Sequence, residues 1–253
     1  MTYVIALAGK GGTGKTTVAG LVVRALGRSG HGPVLAVDAD PNTCLDVAVG
    51  LTAKRTVSDL LDETRGLRDV PANMPKPLYL EYHLEECLIE GRGVDLIVMG
   101  RPEGAACYCS ANSVLRTFLD RMIGSYPSVV VDNEAGMEHL SRRTTRDVDL
   151  LLVVSDATLT GARAARRIAD LVRELALPVK RIAVAVNEAE TLADPVAEVL
   201  AGDGLAFAGF VPHDPLIVEM DLAGRPVTEL PDDAPSVRAV QAMMDRELAG
   251  ARR

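Results

Sequence analysis

Residues 9–17 read Gly9-Lys10-Gly11-Gly12-Thr13-Gly14-Lys15-Thr16-Thr17. An apolar run, Tyr3-Val4-Ile5-Ala6-Leu7-Ala8, precedes this stretch, and apolar residues at helical spacing follow it from Val18. The order strand, glycine-rich loop, helix predicts a phosphate-binding loop, because glycines without Cβ atoms let several backbone N–H groups converge on one small volume. The full GxxxxGK[ST] pattern in this context disfavours the alternative, a flexible glycine turn before an ordinary helix.

Individual residues of this loop are candidate contacts to a bound nucleotide. Lys15 adds a positive charge for the β and γ phosphates, and the Thr16 hydroxyl is a candidate Mg²⁺ ligand. The other candidate nucleotide-binding residues of the loop are Gly11, Gly12, Thr13, Gly14 and Thr17. Lys10 is a second lysine in a loop that needs only one, so it either contacts phosphate or is a solvated surface charge.

Composition narrows the class of protein. No linker, repeat or low-complexity tract divides the chain, so we expect one domain over residues 1–253. The sequence shows no signal peptide and no apolar stretch long enough to span a bilayer, which predicts a cytoplasmic protein. A formal net charge of −8 and only 3% aromatic residues disfavour nonspecific binding to nucleic acid or anionic lipid. The four cysteines then favour metal or redox chemistry over a disulfide framework.

Two further segments place carboxylates at the ends of buried strands. Pro33-Val34-Leu35-Ala36-Val37 leads into Asp38-Ala39-Asp40, and Ser128-Val129-Val130-Val131 leads into Asp132. Ligands of open α/β sheets bind beyond the carboxyl ends of the strands. The second segment has the Walker B pattern, which predicts that Asp132 lies near Mg²⁺. For Asp40, a purely structural role as a turn residue or cap is the alternative.

Two cysteines, Cys107-Tyr108-Cys109, lie directly before an amphipathic helix that is predicted to begin near Asn112. That position favours the thiolate, which is the form that binds soft metals. Two thiolates make half of a tetrahedral site, and the other half comes from Cys44, Cys87, a histidine or, most simply, the same pair in a second subunit. The alternative is two buried hydrophobic cysteines, against which an exposed, glycine-flanked loop argues.

We expect the remaining two cysteines to be core residues. Cys44 lies in a region of short helices at residues 43–61, and Cys87 lies on the apolar face of a helix predicted over residues 79–90. A metal shared between His83 and Cys87, four residues apart, is the less favoured alternative.

The chain as a whole alternates apolar runs with helical patterns. This predicts an α/β fold, a doubly wound and mostly parallel sheet of roughly seven or eight strands with helices on both faces. Further strands are predicted at residues 95–100, 149–156, 181–187 and 206–211, helices at residues 160–175 and 234–248, and an irregular connection at residues 64–78.

The GKGGxGKT form of the loop resembles the deviant P-loop ATPases, the class that contains MinD, ParA and the nitrogenase iron protein. The resemblance implies that Lys10 reaches the phosphates bound by the opposite subunit, so that ATP holds a homodimer together. It also implies that Asp38 holds a Mg²⁺-bound water and that Asp40 orients the attacking water. Lys10, Lys15 and Asp40 are then the catalytic residues, and Gly136 is placed like the glycine whose N–H meets the γ-phosphate.

The same resemblance suggests where the base of ATP binds. Asn187 occupies the position from which this class contacts the base, and the absence of a following lysine favours adenine over guanine. Pro212-His213-Asp214 resembles the segment that lies along adenine in these ATPases. A plain turn at the end of a strand is the alternative for this segment.

Four motifs narrow the resemblance. They are the GKGGTGKTT loop, DADPN, GRPEGxxCYC before a helix, and VVVDNEAGMEHLSRRTT. Together they look like the CooC-type ATPases, which assist nickel insertion into carbon monoxide dehydrogenase and bind metal through the paired cysteines of two subunits. The resemblance therefore implies an ATP-hydrolysing metallochaperone with Ni²⁺ at Cys107 and Cys109 and carbon monoxide dehydrogenase as its client. Zn²⁺ in the isolated protein is equally compatible with thiolate ligands.

Two rival functions share this fold. A MinD- or ParA-like positioning ATPase needs a basic membrane helix or a DNA-binding patch, whereas the C-terminal helix is mixed in charge. An iron–sulfur carrier or reductase would hold a [4Fe–4S] cluster between two chains. The iron-protein reductases, however, take their cysteines from two separated segments rather than from one Cys-x-Cys.

Overall fold

The computed structural model describes residues 2–40, 42, 44–66, 75–100, 120–133 and 148–251. In this part of the chain the strands are β1 Tyr3–Ala8, β2 Val34–Ala39, β3 Leu88–Glu90, β4 Val94–Val98, β5 Ser128–Asn133, β6 Val148–Ser155, β7 Val179–Asn187 and β8 Ala206–Val211. The helices are α1 Lys15–Arg28, α2 Leu45–Val49, α3 Val57–Gly66, α4 Lys76–Leu84, α5 Leu159–Glu174, α6 Asp194–Leu200, α7 Pro215–Leu222 and α8 Pro235–Ala251.

The strands form one sheet in the order β3-β4-β2-β5-β1-β6-β7-β8. β3 pairs antiparallel with β4, and every other pair of neighbours is parallel. The central strands are almost continuously buried, because helices cover both faces of a parallel sheet. The predicted doubly wound, mostly parallel α/β fold is confirmed.

Each face of the sheet has its own apolar core. Ile5 and Leu7 of β1 point into the core shared with α1, α2 and α8, while Val4, Ala6 and Ala8 point into the core shared with α3, α5 and α6. This alternation follows from the two-residue period of a strand. None of the helices in the described ranges has both the length and the apolar composition needed to cross a bilayer.

The helix predicted over residues 79–90 is wrong at its C-terminal end. α4 ends at Leu84, and Leu88 and Ile89 instead belong to β3, where they pair with Ile97 and Leu96. The apolar spacing fits either structure over so short a run, and β4 offers a free edge with unpaired backbone groups. The hydrogen bonds available at that edge decided the conformation.

One other local prediction needs correction, and two short helices were not predicted. Of the irregular connection predicted at residues 64–78, residues 64–66 belong to α3 and residues 76–78 to α4, while residues 67–74 lie outside the described part of the chain. Pro77 is tolerated because it lies in the first turn of α4, whose N–H groups have no intrahelical partner. The sequence analysis also missed the short helices α6 and α7.

The strand order brings three functional segments together. β1, which leads into the glycine-rich loop, lies next to β5, and β5 lies next to β2. The carboxyl ends of these three strands therefore meet at one edge of the sheet. In the β2–β5 register, Asp38 lies directly opposite Asp132.

Candidate functional site

The glycine-rich loop has a shape that side chains would not allow. A Cβ atom on Gly9 would lie 2.2 Å from the carbonyl oxygen of Val154, and one on Gly14 would lie 2.3 Å from the Asn187 side-chain nitrogen. Gly14 also has a φ of 81°, in the left-handed region. The Thr13 hydroxyl donates a hydrogen bond of 2.9 Å to the carbonyl oxygen of Lys10 across the loop. These contacts fit a close backbone cradle for phosphate.

The two lysines of the loop differ in burial. Lys15 is the first residue of α1 and is 7% exposed, so its charge is held at the helix N-terminus beside the cradle. Lys10 is exposed. An exposed Lys10 is compatible both with a solvated charge and with contact to a second subunit, and the latter stays a prediction.

Thr16 and Asp132 meet as the magnesium prediction requires. The Thr16 hydroxyl donates a hydrogen bond of 2.6 Å to Oδ2 of Asp132. The other carboxylate oxygen, Oδ1, is buried and has no hydrogen-bond partner among the described residues. Buried polar atoms are rarely left unpaired, and Mg²⁺ is typically held by one or two carboxylates together with substrate phosphates. Thr16, Asp132 and the adjacent Asp38 therefore fit a Mg²⁺ ion.

The electrostatics of this cluster also indicate a cation site. Burial raises the pKa of Asp132 to about 6; the Thr16 hydroxyl opposes the rise, and the charge of Asp38 adds to it. Burial also raises the pKa of Asp38, against the N–H groups of Leu45 and Asp40, which donate to its two oxygens at 2.9 and 3.1 Å. Neither carboxylate forms an ion pair within the described ranges. The charge of Lys15 also opposes the rise at Asp132, but it does not form an ion pair with the carboxylate. Two neighbouring buried acids that share so little positive charge are typical of a site that binds a cation.

Asp40 has the turn geometry that was the alternative for it. Its Oδ1 accepts hydrogen bonds from the backbone N–H and the side-chain nitrogen of Asn42, at 2.9 and 2.8 Å. The residue is only half-buried. The turn uses one carboxylate oxygen, so orientation of the attacking water by the other oxygen stays a prediction.

The predicted adenine contacts line a cleft beside the loop. Asn187 donates a hydrogen bond of 3.0 Å to the carbonyl oxygen of Thr13, so the end of β7 is tied to the glycine-rich loop. Pro212 and His213 line the same cleft, together with Asp156 and with residues of α7. The structure thus brings together the loop and the base-binding candidates.

Asp214 is used differently from the other members of that segment. It is 3% exposed; its Oδ1 accepts from the N–H of Leu216, and its Oδ2 accepts from the Ser236 hydroxyl at 2.6 Å. The carboxylate therefore ties the start of α7 to the start of α8. An adenine contact from this segment stays a prediction that depends on Pro212, His213 and the backbone.

The expectation that Cys44 is buried is wrong. Cys44 is exposed, because it precedes α2 and the next residue, Leu45, fills the core position with no exposed surface. Burial of the sulfur, and then the charges of Asp38 and Asp40, raise the pKa of the Cys44 thiol. Its environment therefore disfavours the thiolate.

Cys87 is a core residue, as predicted. It is 1% exposed, and burial raises the pKa of its thiol to about 11. The Nδ1 atom of His83 lies 3.1 Å from a Glu86 carboxylate oxygen. In the part of the chain that the structure describes, no group of three or more His, Cys, Asp or Glu side chains is arranged to hold a metal. The alternative metal site at His83 and Cys87 is therefore not supported.

Two predicted features, the Cys107 and Cys109 pair and Gly136, lie outside the described residues. The helix predicted from Asn112 is described only from residue 120, and residues 120–124 are helical, with Ile123 buried in the core as its apolar spacing predicts. Conversely, the sequence analysis did not single out Asn133 or Asp156. Asn133 directly follows the Walker B aspartate and is 1% exposed, and that position was the signal that could have found it.

The comparisons with known proteins agree with this geometry. The family model described as the CobQ/CobB/MinD/ParA nucleotide binding domain matches residues 4–227. An uncharacterized ATP-binding protein of Methanocaldococcus jannaschii is 41% identical over 250 residues, with 96% of this chain and 97% of that protein covered. The carbon monoxide dehydrogenase accessory protein CooC of Rhodospirillum rubrum is 31% identical over 232 residues, with 87% of each covered.

Solved structures show the same fold. A ParA family ATPase from Chlorobium tepidum superimposes with a TM-score of 0.72 at 21% identity, with 98% of each chain covered. At that identity the similarity concerns the fold, while the family model matches residues 4–227 of the sequence and the two relatives cover 87–96% of it. The chain belongs to the CobQ/CobB/MinD/ParA nucleotide-binding domain family and is an ATPase of the MinD/ParA type.

Proposed function

We propose that this protein is an ATP-dependent metallochaperone for nickel insertion into carbon monoxide dehydrogenase. It works as a nucleotide-switched homodimer with a metal site formed by Cys107 and Cys109 of both subunits. The observation that carries the proposal is the combination of a MinD/ParA-type phosphate site with a Cys-x-Cys pair between β4 and β5. The 31% identity to CooC over most of both chains supports it.

The phosphate site supplies the switch. Backbone N–H groups of the loop and the Lys15 ammonium bind the phosphates of ATP, while Thr16 and Asp132 would hold Mg²⁺ and Asp38 would hold it through a water molecule. When bound, Mg²⁺ neutralises charge on the phosphate oxygens. Asp40, at the mouth of the site, orients the attacking water through its Oδ2, and Lys10 stabilises charge on the phosphates of the partner subunit.

The place of the cysteine segment in the chain, between β4 and β5, supports coupling between the metal site and the phosphate site. The segment leaves β4, whose last residue Val98 pairs with Asp38, and returns to β5, which carries Asp132. Both of its ends are therefore attached to strands that bear magnesium-site carboxylates. A change at the phosphates can therefore reach both strands that flank the cysteine segment in the chain.

The domain organisation, the location, the partners and the metal found in isolated protein are also part of the proposed function. The whole chain acts as one ATPase domain, because α8, which lies beyond the family match, packs against α1 and β8. The proposed location of this domain is the cytoplasm. The net charge of −8 gives no reason to expect nucleic acid as a partner. Zn²⁺ in place of nickel in the isolated protein is compatible with the same thiolates.

The test is the Ni²⁺ and Zn²⁺ stoichiometry of the purified protein, with mass in solution recorded with and without a nonhydrolysable ATP analogue. We compare wild type with the Cys107→Ala/Cys109→Ala double variant and with Cys44→Ala, which removes an exposed thiol of disfavoured ionisation. The proposal expects one metal per dimer in the wild type and in Cys44→Ala, and none in the double variant.

Three other results would lead to different conclusions about the function. Undiminished metal in the double variant would contradict the metallochaperone function. An ATP-dependent dimer that binds no metal but binds anionic vesicles or DNA would instead indicate a MinD- or ParA-like positioning ATPase, which has the same fold. Visible absorbance from bound iron and sulfide would indicate an iron–sulfur carrier.

A further inference from the structure

Asn133, the last residue of β5, connects two strands through its side chain. Its Nδ2 donates a hydrogen bond of 2.8 Å to the carbonyl oxygen of Leu7 in β1. The side chain is buried, with only 1% of the residue exposed. Only the amide nitrogen can face a carbonyl oxygen, so the orientation of the amide is fixed by this contact. Its Oδ1 is buried and has no hydrogen-bond partner among the described residues.

The contact lies where the two strands separate. The β1–β5 ladder ends at the pair Leu7 and Asp132, and the next residue of β1, Ala8, pairs only with Val153 on β6. The Asn133 amide therefore continues the connection between β1 and β5 after the ladder has stopped. The glycine-rich loop begins immediately afterwards, at Gly9.

Asn133 also pairs with β2, the strand that carries Asp38. Asn133 pairs with Ala39, next to the pair formed by Asp38 and Asp132. It thus joins the strands that carry the glycine-rich loop, Asp38 and Asp132. Thr16 is the second residue of α1, which follows β1 through the glycine-rich loop, and its hydroxyl lies 2.6 Å from Oδ2 of Asp132 on β5. A change in the spacing of β1 and β5 at this end would therefore change that separation.

We propose that Asn133 is a positioning residue for the Mg²⁺ site: its amide holds β5 against β1, so that Asp132 and Thr16 keep the separation that a shared ion requires. This inference rests on the Mg²⁺ site of the proposed ATPase and is independent of nickel. Residues that orient metal ligands through hydrogen bonds typically contribute a factor of about 10–100 to metal affinity. The role of Asn133 in this proposal is to set the strand spacing, not to bind nucleotide or metal.

The test uses Asn133→Leu, which keeps the branched shape at slightly larger volume and removes the donor, and Asn133→Ser, which shortens the side chain. Ser128→Ala is the matched control, because Ser128 is at the other end of β5, is fully buried, and its hydroxyl has no partner among the described residues. The measurement is the Mg²⁺ concentration that half-saturates binding of a fluorescent nonhydrolysable ATP analogue. Nucleotide affinity without Mg²⁺ and the melting temperature are recorded alongside.

We expect the half-saturating Mg²⁺ concentration to rise about tenfold in both Asn133 variants, while affinity without Mg²⁺ changes less than twofold. Ser128→Ala should match the wild type. A lower melting temperature with an unchanged Mg²⁺ requirement would show a purely structural residue and overturn the inference. If the wild type itself shows no Mg²⁺ dependence, the proposed site fails and not only the role of Asn133. Should the leucine variant not fold, the serine variant decides.

Discussion

Carboxylates at the two ends of the parallel strands differ in whether a cation pairs with them. The end where the parallel strands begin is called the amino edge, and the end where they finish is called the carboxyl edge. At the amino edge, both oxygens of Glu247 face Arg181, at 2.6 and 3.1 Å, and Asp149 binds Lys180 at 2.7 Å and the N–H of Val4 at 2.8 Å. At the carboxyl edge, Asp38 and Asp132 have only neutral donors among the described residues. The charge of Lys15 acts on Asp132 but forms no ion pair with it. Buried acids that lack an ion pair cost stability, so their presence beside the glycine-rich loop favours a site for a bound cation.

Cavity size alone does not locate the nucleotide site. A cavity of about 590 Å³ lies at the amino edge beside Tyr3, Arg181 and Glu247, whereas the cleft at the glycine-rich loop measures about 140 Å³. The charges in the larger cavity are largely paired with each other. The glycine-rich loop and the buried acids without ion pairs, rather than cavity volume, identify the site for phosphate and its cation.

The largest expected effect comes from neutralising the unpaired acid. Asp132→Asn removes a magnesium ligand, so ATP hydrolysis should fall at least about 100-fold. The same change removes a charge that is buried at a cost, so we expect the nucleotide-free protein to gain about 1–3 kcal/mol at pH 7.5. Phosphate release and urea unfolding measure the two effects. A variant that loses both activity and stability would contradict this view of the carboxyl edge.

The stability gain should depend on pH. The pKa of Asp132 is raised from 3.8 to about 6 in the folded state, so the folded protein holds a proton that the unfolded chain has already released. Stability is therefore lost as the pH rises between these two values. The advantage of Asp132→Asn over wild type should be near zero at pH 4 and reach its maximum above pH 6. An advantage that does not change with pH would exclude the buried charge as its cause.

Glu247→Gln should have the opposite sign at the other edge. It leaves Arg181 with a neutral partner, and we expect a loss of about 1–2 kcal/mol, a moderate value because the guanidinium is half exposed. The turnover number for ATP should stay that of the wild type, since the phosphate site is at the far edge. Urea unfolding and phosphate release test both statements. A stability gain here would show that the two edges do not differ.

Asp149→Asn should have the smallest effect. The asparagine carbonyl can still accept the hydrogen bond from the N–H of Val4, and the lost pair with Lys180 involves a largely exposed ammonium. We expect a change in unfolding free energy below about 1 kcal/mol, and a smaller one in high salt. Urea unfolding at two salt concentrations is the measurement. A loss as large as that of Glu247→Gln would mean that exposure of the cation does not set the strength of these pairs.

Predictions from sequence succeeded where a residue's local neighbours decide its state. The strand, loop and helix at residues 3–28 and the Walker B strand are local patterns, and they lie as expected. They failed at Leu88 and Ile89, whose conformation depends on the free edge of β4, and at Cys44, whose exposure depends on which of two adjacent residues faces the core. Those outcomes require the partner segment to be in place.

The sequence by itself determined the α/β class, the identity of the phosphate loop and the candidate magnesium ligands, because glycine geometry, helix dipoles and carboxylate chemistry act over a few residues. Only the tertiary structure decided that Asp132 meets Thr16 across 116 positions, that Asp214 is used within the fold, and that Asn133 bridges β5 and β1. Such contacts depend on strand order and register. Strand order and register follow from packing over the whole chain, and no local pattern encodes them.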